Sequence, residues 1–243
     1  MIAFLTSTLG DFYLMDEMVV DLVSKNDFTS NLRQIWRRGS RGLFISADPA
    51  DFSGNDKMRD EFFRAFRVAG LAFERLDICD GRMRGELDLS DVDVIILGGG
   101  HVPTQHKFFK KIALKEHLSA FDGILLALSA GSMNSAEMVY SIPELEGEAL
   151  DPSYNRWLDG LGLTKCMMIP HYQYFKDVYL DGLHVIRDIA IPNSFGKKFY
   201  ALPDGSYIMC RDGKEYIFGE AHLISDGKVE QICSDGEVIE ITN

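Results

Sequence analysis

Residues 125–135 read LLALSAGSMNS: four apolar residues run into Ser129, with Ala130 and Gly131 directly behind it. A serine at the end of an apolar strand suits nucleophilic catalysis when a sharp turn lifts its hydroxyl clear of the sheet. Such a turn tolerates only very small residues two before and two after the nucleophile. Those positions hold Ala127 and Gly131. Glycine at both is the usual pattern, so the stretch by itself is equally compatible with a plain tight strand-to-helix turn.

Two other predicted strand ends offer partners. GGGH, residues 98–101, follows the apolar run DVIIL. Consecutive glycines let backbone N–H groups approach a ligand closely. Neither G-x-G-x-x-G spacing nor a P-loop lysine accompanies them, which argues against a nucleotide cradle. An oxyanion hole built from the Gly99 and Ala130 N–H groups is the reading that connects with a serine, against a flexible strand end as the plain alternative. The third stretch, MMIPHYQY, ends an apolar run on His171. His106, His117 and His184 lie instead in polar, helix-like stretches, and His222 lies in the β-rich tail. An imidazole at a strand end can take and return the proton of a serine hydroxyl. Gly100, His101 and Tyr172 flank these positions and are candidate substrate contacts.

A triad also requires a carboxylate to orient the imidazole. Between Ser129 and His171 the acids are Glu137, Glu144, Glu146, Glu148, Asp151 and Asp159. Glu137 falls in the helix expected after the serine and faces solvent. The acidic loop PELEGEALDP leaves Glu144, Glu146 and Glu148 open, any one of which could turn inward.

These residues need a scaffold that brings strand ends together. The first two thirds of the chain alternate apolar runs with helix-like segments, the pattern of a parallel sheet covered on both faces. Strands are expected at 2–7, 42–47, 72–77, 93–99 and 123–128, and near 166–172. Amphipathic helices are expected at 16–26, 57–70 and 107–121, with a further helix around 175–190. Gly70 closes the second helix. Beyond residue 198, Asp-Gly pairs at Asp204, Asp212, Asp226 and Asp235 alternate with β-rich runs and predict hairpins. The expectation is an α/β fold, a doubly wound, mostly parallel sheet with antiparallel hairpins added at the C-terminal end. No linker, repeat or low-complexity tract interrupts it, so residues 1–243 read as one domain.

Composition bounds the function. Hydrophobic residues make up 46% and charged residues 26% of the 243, enough for a substantial core. A formal net charge of −12 leaves nothing to neutralise phosphates and excludes nucleic acid as a partner. No apolar run reaches the ~20 residues of a membrane span, and the N-terminus lacks a signal-peptide pattern, which points to the cytoplasm. Cys79, Cys166, Cys210 and Cys233 stand in no metal-ligand spacing, so neither a metal nor another cofactor is expected.

With GGGH after the fourth strand, LSAG at the elbow, IPHY and ALPDGSYI in that order, the chain resembles the peptidase E (aspartyl dipeptidase) family of serine peptidases, and more distantly the cyanophycinases. The matching features span residues 93 to 210, and LTSTLG near the N-terminus fits as well. The resemblance implies a fold like that of the class I glutamine amidotransferases, with Ser129 as nucleophile, His171 as general base and acid, and Gly99 with Ala130 as oxyanion hole. His171 follows Ser129 by 42 residues, a separation that suits this family and is short for most α/β-hydrolases. The family's acid is expected in the loop ahead of an Asp-Pro pair. Anchoring on Asp151-Pro152 selects Glu146, a glutamate as in cyanophycinase-like members, with Glu148 and Glu144 behind it.

The dipeptidases recognise an N-terminal aspartate through basic residues after the histidine. Here only Lys176 and Arg187 are available and the arginine-bearing motif is missing, so a small peptide is the expected substrate without aspartate specificity. Two rivals remain at this stage: an esterase or amidase with the same machinery, and a non-catalytic protein that holds a carboxylate or amide ligand. A homodimer is compatible with the sequence.

Overall fold

The computed structural model describes residues 1–10 and 21–241. Five parallel strands form one side of an eight-stranded sheet: β1 (Ile2–Thr6), β2 (Ser40–Ile45), β3 (Phe73–Cys79), β4 (Val94–Leu97) and β5 (Ile124–Leu128). Two three-residue strands, β6 (Met138–Tyr140) and β7 (Trp157–Asp159), pair with each other, and β8 (Met167–Ile169) follows. Next come a small hairpin of β9 (Tyr179–Leu180) and β10 (Leu183–His184), then β11 (Lys198–Ala201) and β12 (Tyr207–Arg211). The chain ends with β13 (Lys214–Phe218), β14 (Ala221–Ser225), β15 (Lys228–Cys233) and β16 (Val238–Glu240).

The main sheet runs β16-β13-β12-β1-β5-β4-β2-β3, with β12, β13 and β16 antiparallel additions beside β1. A second sheet runs β15-β14-β11-β8, in which β8 and β11 are parallel. All five expected parallel strands form; β4 and β5 are buried on both faces, while β3 at the edge keeps exposed residues.

Alternate residues of the main sheet feed two cores. Phe4, Phe44, Ile96 and Leu126 pack with Phe28 and Leu32 of α1 (Phe28–Ile35) and with Phe62 and Phe66 of α2 (Phe52–Val68). Leu5, Ile45, Leu97 and Leu125 face the other way, against Phe108 and Phe109 of α3 (Val102–Lys111) and Leu114 and Leu118 of α4 (Leu114–Leu118). The second sheet joins that same core through Met168, Tyr200 and Leu202.

Helix boundaries depart from expectation for local reasons. Asp51 accepts a hydrogen bond from the Gly54 N–H at 3.0 Å and starts α2 five residues early, while Gly70 (φ 75°) stops it as expected. The helix expected at 107–121 is two helices, broken where Ala113 turns left-handed (φ 49°). Of the helix expected at 16–26, residues 16–20 lie outside the described residues; Leu22 instead forms a bridge with Gly10. Around 175–190 a short α6 (Tyr172–Phe175) gives way to the β9–β10 hairpin and a π-helix over Val185–Ala190. The cause is Asp181-Gly182, both at positive φ (53° and 81°), which makes a two-residue hairpin turn. Asp212-Gly213 and Asp226-Gly227 make the expected turns of β12–β13 and β14–β15 in the same way.

After β5 the chain turns into α5 (Ala130–Asn134), whose Gly131 approaches the C-terminal end of β4. A Cβ on Gly131 would stand 2.6 Å from the Leu97 carbonyl oxygen and 2.8 Å from its Cβ, so the helix can sit this close only with glycine there. Gly131→Ala is therefore expected to cost about 1–3 kcal/mol through forced separation of α5 and β4. Calorimetric unfolding should show the midpoint falling by several degrees; an unchanged midpoint would mean that the contact relaxes freely.

Candidate active site

Ser129 occupies the turn between β5 and α5 with φ 49° and ψ −112°, a backbone conformation strained for any residue but glycine. Bonds on both sides enforce it. The Ser129 N–H donates to Thr6 O at 2.9 Å, and the Gly131 N–H donates to Gly98 O at 3.1 Å. The Ser132 hydroxyl also donates to Thr6 O, at 2.7 Å. The serine is half-buried, at the end of a strand that is otherwise fully buried. Gly99 adjoins it, since a Cβ there would lie 3.3 Å from the Ser129 Cβ. Ala130 opens α5, so its N–H has no intrahelical acceptor.

His171 arrives from the second sheet, where the short β8 ends at Pro170, and not from the main sheet as its apolar run suggests. Its backbone is left-handed (φ 54°), and its N–H donates to the Ser7 hydroxyl at 3.1 Å. That hydroxyl in turn donates to Leu202 O at 3.1 Å. The imidazole Nδ1 lies 2.7 Å from Asp204 Oδ1. Asp204 belongs to the crossover from β11 to β12, and its N–H donates to the Gln173 side chain at 3.0 Å.

The carboxylate on the imidazole is thus Asp204 and not Glu146, which is exposed on its loop. The other two glutamates of the loop go elsewhere. Glu148 Oε1 meets His101 Nε2 at 2.8 Å, while its Oε2 accepts the Glu144 and Leu145 N–H groups at 2.9 and 3.0 Å. Glu144 lines a cavity of about 380 Å³ together with Ser129 and His171. Burial, reinforced by the negative charge of Glu148, pushes the Glu144 carboxyl up to about 7.

Of the other sequence candidates, His101 is occupied by Glu148 and by Thr104 Oγ1 at 2.8 Å, and acts as a tie for the acidic loop. Gly100 is exposed outside the cavity, and Tyr172 packs at a tilt against His222 with ring centroids 4.7 Å apart. Asp204 was readable as a residue but not as an acid: in ALPDGSYI it precedes a glycine and reads as a turn former. Among the described residues, no group of three or more His, Cys, Asp or Glu side chains could hold a metal ion, and no helix is long and apolar enough to cross a membrane.

A strained serine at a strand-to-helix turn and an imidazole backed by a carboxylate, opening on one small cavity, are the parts of a serine hydrolase. The model of peptidase family S51 matches residues 30–217, and the chain belongs to that family of serine peptidases. Its fold is similar to the crystal structure of a peptidase from an acI-B1 Actinobacterium (TM-score 0.64, 17% identity, covering 99% of this chain and 96% of that one). It is also similar to a protein provisionally assigned as peptidase E from Listeria monocytogenes EGD-e (TM-score 0.57, 15% identity, covering 95% of this chain and 98% of that one). No curated protein sequence matches significantly.

The buried Glu144 has a measurable consequence. The unfolded chain releases this proton near 4.5, whereas the folded protein holds it to about 7. Over that window the unfolded state binds fewer protons, so Glu144 lowers stability as pH rises. Thermal melts in a pH series should show Glu144→Gln gaining on the wild type between these two values, then holding a constant lead. A parallel pair of curves would contradict the assignment.

Proposed function

We propose that the protein hydrolyses short peptides through an acyl-enzyme, with Ser129 as nucleophile, His171 as general base and acid, and Asp204 as the carboxylate behind it. The observation that carries this reading is the 2.7 Å contact of His171 Nδ1 with Asp204, on a histidine that shares one cavity with a serine at positive φ. With its Nδ1–H directed at Asp204, the imidazole keeps Nε2 as the basic nitrogen.

Ser129 Oγ forms a bond to the scissile carbonyl carbon as its proton passes to His171. The carbonyl oxygen takes the negative charge and is held by the Gly99 and Ala130 N–H groups. Collapse breaks the C–N bond, and His171 gives its proton to the leaving amine. Water then attacks the ester while His171 takes its proton. Ser129 departs, recovers that proton, and leaves a free carboxylic acid. One peptide bond and one water are consumed, with one amine and one acid released. The small cavity favours dipeptides and similar short chains over folded proteins.

Turnover of a dipeptide panel tests the assignment. Ser129→Ala should abolish hydrolysis, and Asp204→Asn should lower kcat by about 10⁴ by fixing the wrong imidazole tautomer. Glu146→Gln should leave both kcat and KM unchanged. If Glu146→Gln is the inactive variant and Asp204→Asn is not, the carboxylate has been misassigned.

A further inference from the structure

The cavity beside Ser129 has a composition of its own. Its wall is formed by Tyr174, Phe175, Val178, Leu180 and Val185. Glu144 is the one Asp or Glu side chain that lines it, and no Lys or Arg does so among the described residues. Neither of the two cations that follow His171 lines it: Lys176 is exposed, and Arg187 is paired with Asp188 at 2.8 Å. Tyr174 and Val178 are 61% and 37% exposed, so apolar surface stands uncovered at the rim, where a ligand would cover it.

The acid and the apolar wall are fixed relative to each other. Asp181 accepts hydrogen bonds from the Gly147 N–H at 2.8 Å and the Ala149 N–H at 3.0 Å. It sits in the turn of the β9–β10 hairpin, directly after Leu180 of the wall. Glu148, tied to His101, holds the Glu144 N–H from the other side. Glu144 is therefore presented by a loop anchored at three points, which lowers the ordering cost of binding.

Resting on the peptidase reading above, we infer that the cavity selects peptides whose first residue combines an apolar side chain with a free α-ammonium group. The side chain packs on the Tyr174–Val185 wall and the ammonium pairs with Glu144. In such a substrate the ammonium is separated from the scissile carbonyl by one carbon, so Glu144 and Ser129 need to share one small cavity, as they do. An N-terminal aspartate is rejected twice: it finds no cation, and its carboxylate meets the charge of Glu144.

The test measures kcat/KM of the full chain at pH 8 on Leu-Gly, Phe-Gly, Asp-Gly and N-acetyl-Leu-Gly, alongside labelling of Ser129 by a serine-directed phosphonate. Leu-Gly and Phe-Gly should exceed Asp-Gly by about 10²-fold, since a site that leaves a charged group unpaired rejects it strongly. Acetylation of the amine should cost about 10–100-fold, the usual worth of a hydrogen bond to a charged group. In Glu144→Gln the free and acetylated substrates should converge. Val178→Arg, on the exposed rim and independent of how Glu144 affects folding, should shift preference toward Asp-Gly. Labelled Ser129 with Asp-Gly equal or preferred overturns the substrate inference and leaves the peptidase reading intact. Absence of both labelling and turnover overturns the two together.

Discussion

The site depends on the C-terminal end of β1, where two adjacent residues hold parts that belong to different sheets. Thr6 O accepts the Ser129 N–H and the Ser132 hydroxyl, so the Ser129 turn is pinned to the main sheet. Ser7 extends the same strand end and bridges the His171 N–H to the Leu202 carbonyl through its hydroxyl. Both side chains are buried, and the Thr6 hydroxyl bonds back to Ala127 O at 2.8 Å. A buried hydroxyl with both roles filled is worth more than its two bonds taken singly, because losing it strands partners in a low-dielectric interior. Serine and histidine come together because β1 lies between β5, which carries the serine, and β12, which receives the chain from the second sheet.

That division between sheets explains what the sequence could show and what it could not. The parallel strands announce themselves, since VIIL and ILLAL are buried on both faces and stand between helical patterns. The Ser129 turn was legible for a related reason: Gly131 is needed at close approach, and smallness survives in a one-letter code. His171 was legible as a residue, but its strand has only three residues and pairs with β11, a partner that no local pattern identifies. Asp204 was the hardest. Its role arises from a crossover that brings a turn 33 residues downstream under the imidazole, while its neighbour Gly205 gives the pair an ordinary turn signature. Asp204 lies outside the interval between serine and histidine, so only the geometry brings its carboxylate to the imidazole.

The acidic loop shows why residue type alone does not distinguish its glutamates. Glu144, Glu146 and Glu148 alternate within five residues and are chemically identical in sequence. Their environments separate them. Glu148 points its two oxygens at a histidine and two backbone N–H groups, and acts as a splint. Glu146 meets solvent. Glu144 is turned into the cavity, where burial and its neighbour's charge raise its proton affinity. Period-two alternation is no guide in a loop whose direction is set by Asp181, a residue 35 positions beyond Glu146.

Two costs are concentrated around the cavity: a serine at φ 49° and a carboxyl buried beside a second acid. Each is unfavourable by itself, and strained or destabilised groups persist only where surrounding structure over-determines them. Here that structure is the pair of cores flanking the main sheet, together with a third cluster in which Ala130 and Met133 of α5 pack against Ile169, Val185 and Phe199. The third cluster joins the serine helix to the strand that carries His171 and to the helix behind the apolar wall. Loosening it would relax the Ser129 turn and move the imidazole at once, so the packing that stabilises the fold also sets the spacing of Ser129 and His171. The apolar wall, the acid that faces it and the Ser129 turn are thus held by one continuous packing arrangement.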